Sequence, residues 1–180
     1  MKDKQQQHSK SGYINNQPIT GQEVISKLRK LYGEVEWRPR YDPITELVFT
    51  ILSQHTSDVN SERAFSNLIQ HFGTIQNIAD GDIETISRCI KIGGLNHVKA
   101  PRIKTVLNRI RQIRPDMDLT FLKQLPLEQA KAWLQQLPGI GPKSAAVILC
   151  FSLGMPAMAV DTHVYRVSKR LGLITDSTTA

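Results

Sequence analysis

Lys143 stands in the stretch LPGIGPKSAAVILC, residues 137–150, between a Gly-x-Gly turn and a run of apolar side chains. A lysine amine can be solvated, can touch a phosphate, or can act as a nucleophile. Gly139 and Gly141 permit a tight hairpin with backbone conformations that a Cβ would forbid, and Pro142 and Ser144 suit the opening of a helix. Lys143 is therefore expected in that helix's first turn. Helix, Gly-x-Gly turn, helix aims consecutive main-chain N–H groups and a helix N-terminus outward, and on a basic surface the simplest anion to meet them is a DNA phosphate. Taken alone, a Gly-Ile-Gly turn reads equally well as an ordinary loop, and a first-turn lysine as a solvated one.

Charge favours the phosphate. The 180 residues carry a net +7 with a pI near 9.6. From Lys91 to Arg170 there are 13 Lys and Arg against four acidic residues (Asp116, Asp118, Glu128, Asp161), a local balance of +9, while all other positions balance to −2. Such an asymmetry suits a polyanion, because each neutralised phosphate releases condensed counterions. The competing reading is a merely solvated basic surface. Cys89 and Cys150 cannot build a disulfide framework and fall in apolar helical patterns, so they read as packing residues in a reducing compartment. The uncharged run Ser144–Val160 is 17 residues long and broken by Gly154 and Pro156. That is shorter than the roughly 20 residues a membrane span needs, so it reads as a core helix followed by a loop, and no membrane association is expected.

The elements that must position these residues are helical. Asp42-Pro43 is a start signal for a helix with Ile44, Leu47, Val48, Ile51 and Leu52 on one face; Ala64, Phe65, Leu68, Ile69 and Phe72 repeat the rhythm up to Gly73. Ile83, Ile86 and Ile90 follow, stopped by Gly93-Gly94. Pro101 can open a longer helix with Ile103, Val106, Leu107, Ile110 and Ile113 inward and Arg102, Lys104, Arg109, Arg111 and Arg114 outward, ended by Pro115. A short helix over 127–137 enters the hairpin, and Val160, Val164, Val167 and Leu171 form the last stripe. Trp37 and Trp133 fall on apolar patterns and read as core. No segment reads as a strand, so the fold class is all-α. Residues 1–20 read as a disordered tail without a signal peptide.

The hairpin LPGIGPKSAAVIL, followed 18 residues after its lysine by the aspartate of AVDTHVYRVSKRLGL, closely resembles the helix-hairpin-helix DNA glycosylases of the endonuclease III branch. The segments ILSQHTSDVNSERAF (51–65) and IGGLNHVKAPRIKTV (92–106) carry the same resemblance, which runs from about Val24 to Leu173. It implies two helical lobes with a DNA-binding cleft between them: residues 21–40 as the N-terminal helix of the second lobe, 41–155 as a six-helix domain holding the hairpin, and 156–180 as the start of an incomplete C-terminal part. It further implies that Lys143 is the catalytic lysine and Asp161 the aspartate facing it, and that Gly139, Gly141 and Ser144 belong to the phosphate-binding hairpin. Gln54 and His55 match positions where a polar side chain fills the hole left by an extruded base, with the register between them open. Asp58 matches an acidic pocket position. Leu95 and Asn96 fall on a loop that wedges the opposite strand, and His163 and Arg166 follow the catalytic aspartate. On the residues alone, Asp161 is equally an N-cap of the last helix, and His55 and His163 equally polar packing residues.

A base inside a duplex hides its glycosidic carbon, so the nucleotide must be rotated out at a cost of about a few kcal/mol. An amine can then displace the base and form a Schiff base, and β-elimination nicks the strand. Adenine-removing relatives carry serine at this position and only hydrolyse; Lys143 therefore implies a glycosylase that is also a lyase at abasic sites. Desolvation by the AAVILC helix is expected to help neutralise the amine, with Asp161 stabilising positive charge and relaying protons. The family's 4Fe–4S cluster needs four cysteines downstream, which are absent here, so no cofactor and no metal are expected in this chain and a cluster only in a longer parent protein. The expected activity is base-excision repair of damaged double-stranded DNA, oxidised pyrimidines first, by a monomer located in the cytoplasm with the nucleoid if bacterial. The alternatives are a mismatch or modified-cytosine glycosylase and, in another class, a helix-hairpin-helix module that binds DNA without chemistry.

Overall fold

The computed structural model describes residues 13–14 and 17–175 and divides the chain into two compact units, one of residues 38–159 and one of the segments on either side. The larger unit is built around α2 (Pro43–Ser53). Asp42 caps it, accepting from the Thr45 amide at 3.2 Å, and Pro43 occupies the first turn, where a missing N–H costs nothing. The stripe Ile44, Leu47, Val48, Ile51, Leu52 is buried as its spacing predicts, but so are Glu46, Phe49 and Thr50, so α2 is surrounded on nearly all sides. It lies against α3 (Asp58–Phe72), α6 (Asn96–Ile113) and α8 (Pro142–Leu153). Full burial of each such aliphatic side chain contributes about 1.5–3 kcal/mol.

Glu46 is fully buried and is answered by Arg40, whose Nε donates to Oε2 at 3.0 Å and whose terminal nitrogen bonds Oε1. The guanidinium lies over the Phe49 ring at 4.5 Å and the Phe151 ring at 5.4 Å, and the Arg40 amide donates to the Phe151 carbonyl at 3.1 Å. One side chain therefore fastens the start of this unit to the far end of α8.

Between α3 and α6 lie α4 (Ile75–Asp80) and α5 (Ile83–Cys89), then a single 3-10 turn over Lys91–Gly93. Here the architecture differs from the six-helix expectation: with α7 (Leu127–Gln135), the described residues of this unit hold seven α-helices. The unforeseen one is α4, a six-residue helix that buries only Ile75, Ile78 and Ala79, too short to display a period. Helix α6 also begins five residues before Pro101, which sits inside it and removes one main-chain donor from its interior. It ends at Ile113, with Arg114 extended as the residue before a proline must be. Trp133 packs edge-on against Phe121 at 5.3 Å, whereas Trp37, expected in the core, is 48% exposed. Both cysteines are half-buried against the core.

The smaller unit holds α1 (Gly21–Tyr32) and α9 (Thr162–Arg170), neither of which buries a residue. The tail expected over residues 1–20 falls mainly outside the described residues. Within it, β1 (Tyr13–Ile14) and β2 (Gln17–Pro18) pair antiparallel, and Thr20 forms a capping box with Glu23 at the start of α1. Two two-residue strands leave the all-α class intact. Among the described residues no helix is long and apolar enough to cross a membrane.

Candidate functional site at the hairpin

Helix α7 closes at Gln136, and the chain then turns on Leu137 and Ile140, both buried, with the Ile140 amide donating to the Leu137 carbonyl at 3.1 Å. These two anchors leave Gly139 and Gly141 at the surface between them. Gly139 has φ +78, in the left-handed region that glycine enters without penalty. It has a second reason to lack a side chain, because an added Cβ would meet Cδ and Nε of Arg102 at 2.6 Å. Gly141 is the N-cap of α8 and supplies no capping side chain, so the positive end of that helix lies at the exposed hairpin, with Lys143 and Ser144 in its first turn.

Gln54, the C-cap of α2, holds this turn in place. Its Nε2 donates to the Gly139 carbonyl at 3.1 Å and to Ser144 Oγ at 3.3 Å, while its Oε1 accepts from Arg102 at 2.9 Å. Four residues from α2, α6, the hairpin and α8 thus form one network. Gln54 and Ser144 belong to the expected site; Arg102, read from sequence as part of a solvated basic face, does not. The next residue, His55, is exposed and has φ +54, a conformation that costs a non-glycine residue about 1–3 kcal/mol. Asp58 is exposed in the first turn of α3, behind its cap Ser57.

Leu95 and Asn96, expected on a loop, sit at its very end. Leu95 is the left-handed N-cap of α6, with φ +49 and 44% exposure, and Asn96 is the helix's first residue, donating to Ser87 Oγ at 2.7 Å. Lys143 is exposed in the first turn of α8, as the hairpin predicts. The expectation that the AAVILC helix desolvates it is corrected: Ala145, Ala146, Ile148 and Leu149 face the core, and the lysine stands on the opposite, solvent-facing side. Asp161, His163 and Arg166 belong to the other unit. Asp161 caps α9, with Oδ1 accepting from the amides of His163 at 2.9 Å and Val164 at 2.7 Å, and Arg166 lies 2.9 Å from His163 Nδ1.

The sequence's two cysteines cannot supply the four thiolates of a 4Fe–4S cluster, and among the described residues no group of three or more His, Cys, Asp or Glu is placed to hold a metal ion.

Residues 48–180 match the family described as HhH-GPD superfamily base excision DNA repair protein. A chain from Arabidopsis thaliana that carries the name of a DNA glycosylase is 37% identical over 128 residues, covering 71% of this chain and 44% of its own. Endonuclease III of Thermotoga maritima is 36% identical over 137 residues, 74% of this chain and 58% of its own, so the chain spans about half the length of these curated relatives. Among solved structures, an endonuclease III in non-covalent complex with DNA superposes with a TM-score of 0.70 at 26% identity, over 88% of this chain and 70% of that one.

Proposed function

From the premise that this chain belongs to the HhH-GPD superfamily of base excision DNA repair proteins, we propose that it removes damaged bases from double-stranded DNA and cleaves the resulting abasic site, with Lys143 as the nucleophile. The observation that carries this reading is an exposed lysine in the first turn of α8, directly behind an exposed glycine hairpin whose position is fixed by Gln54 and Arg102. The hairpin grips a phosphate beside the lesion, which brings the sugar of the extruded nucleotide to the lysine. The Lys143 amine nitrogen forms a bond to C1′ as the glycosidic bond breaks, and a proton lost from that nitrogen passes to the departing base. Opening of the sugar ring gives a Schiff base, loss of a C2′ proton expels the 3′ phosphate, and water then releases the lysine. Asp161 stabilises positive charge at C1′ and relays the protons.

His55 fills the space of the extruded base. Gln54 is committed to the hairpin, whereas the neighbouring His55 projects on strained backbone at the surface. Leu95 wedges the opposite strand. Oxidised pyrimidines are the first lesions to test, and the enzyme acts as a monomer.

Borohydride trapping on an abasic duplex tests the chemistry. Wild-type protein forms a covalent adduct stable to denaturation and nicks the strand; Lys143→Ala does neither, yet still retards the duplex in a gel. An adduct that persists in Lys143→Ala overturns the assignment. A panel of duplexes with single lesions then identifies the base.

A further inference from the structure

Lys99 is 2% exposed, the only lysine or arginine among the buried residues described, and both acceptors of its ammonium are main-chain carbonyls: Leu52 at 2.7 Å and Gly93 at 3.0 Å. Burial holds its amine below the ordinary lysine range, so the site disfavours the charge it houses. A leucine would fill the same volume without that cost. What it could not do is satisfy two carbonyls that end helical turns. Leu52 lies in the last turn of α2 and Gly93 closes the 3-10 turn, where carbonyls have no partner further along the chain and attract a cation.

Both carbonyls lead directly into strained segments. Three residues after Leu52 comes His55 at φ +54, and two residues after Gly93 comes Leu95 at φ +49; the third left-handed non-glycine residue, Met117, is buried elsewhere. Such conformations persist only where the surroundings over-determine them. We propose that Lys99 is a positioning residue whose buried ammonium staples the segment bearing His55 to the segment bearing Leu95, so that the two side chains are presented to DNA as one rigid pair. The staple itself stands on the contacts above; its purpose rests on the reading of His55 and Leu95 as DNA-contacting residues.

Amide hydrogen exchange on the full chain, with and without Lys99→Met, tests it. Methionine keeps the length of the stem and removes the donors. In the variant, amides of residues 54–57 and 93–96 are expected to exchange about tenfold faster or more, both segments together, while those of α3 and α8 keep their protection. Acceleration in one segment only, in neither, or evenly across the unit overturns the staple. Should the variant fail to fold, the wild type decides: stapled segments open together and share one denaturant dependence, and two distinct dependences sink the idea. For the purpose, affinity of Lys99→Met for a duplex with an abasic analogue is expected to fall about tenfold while affinity for undamaged duplex holds. Loosened segments with unchanged abasic affinity overturn the presentation to DNA. If the wild type itself does not bind abasic duplex, the proposed function fails and the exchange result still judges the staple.

Discussion

Gly139 shows how a single atom decides the hairpin. Alanine there would hold a left-handed φ, costing about 1–2 kcal/mol, and would push Arg102 away from Gln54. Gly139→Ala is therefore expected to lose stability by at least that amount and to weaken duplex binding, and adding Arg102→Ala to it should relieve the collision but not the strain. Thermal unfolding of the two single variants and the double variant separates the parts; full recovery in the double variant would contradict the φ argument. Arg40 and Glu46 give a larger effect. Removing Arg40 leaves a carboxylate buried without its counter-charge, so Arg40→Met is expected to cost about 3–5 kcal/mol, whereas Glu46→Gln keeps an acceptor and costs about 1 kcal/mol. Urea unfolding checks the order. The two glycines, Ser144 and Lys143 are legible in the sequence because a hairpin is local. Arg102 is not: its partner Gln54 lies 48 positions away, and Gln54 meets Gly139 across 85, distances no periodicity reports. Lys99 is hidden for the same reason, since a lysine on a basic helix looks solvated until the fold buries it.

Among the elements, α2, α3 and α8 follow from their apolar spacing and from the Asp42-Pro43 start, the Gly73 stop and the Pro142 opening, because each buries a long stripe. Helix α4 and the early start of α6 do not, the one being too short and the other beginning at a left-handed leucine that carries no capping signal. Where caps do act, they make stability depend on pH. Asp82 caps α5, and hydrogen bonds from the Thr85 side chain and then its amide pull its carboxyl below the ordinary range; the Thr120 amide and then its hydroxyl do the same for Asp118. A lowered folded-state pKa means the contribution is complete above the unfolded value of about 3.9 and is lost as pH falls through the folded one. The larger unit is thus expected to lose stability below about pH 4, and Asp82→Asn, which still caps but cannot titrate, to flatten the acid limb. An unchanged limb in urea unfolding series at successive pH values would remove the caps from the explanation.

At the scale of the whole chain, the positive excess between Lys91 and Arg170 sets how binding responds to salt, but not all of it is available to DNA. Lys99 is buried, Lys104 donates to the Gly81 carbonyl, Arg111 pairs with Asp80 at 2.6 Å, Arg114 with Asp116 at 3.1 Å, and Lys131 with Glu128 at 2.7 Å. Arg102 is engaged by Gln54. Lys91, Arg109, Lys123, Lys143, Arg166, Lys169 and Arg170 are exposed, Arg166 beside His163. With about four phosphates neutralised, the logarithm of the binding constant should fall with the logarithm of salt at a slope near −3.6, so affinity for a duplex drops about 100-fold from 50 to 200 mM. Fluorescence anisotropy across a salt series measures it. Lys143→Ala should make the slope shallower by about one if the amine meets a phosphate, and leave it unchanged if the lysine is reserved for the sugar, as the nucleophile assignment requires. A slope near zero in the wild type would mean that the basic face is merely solvated.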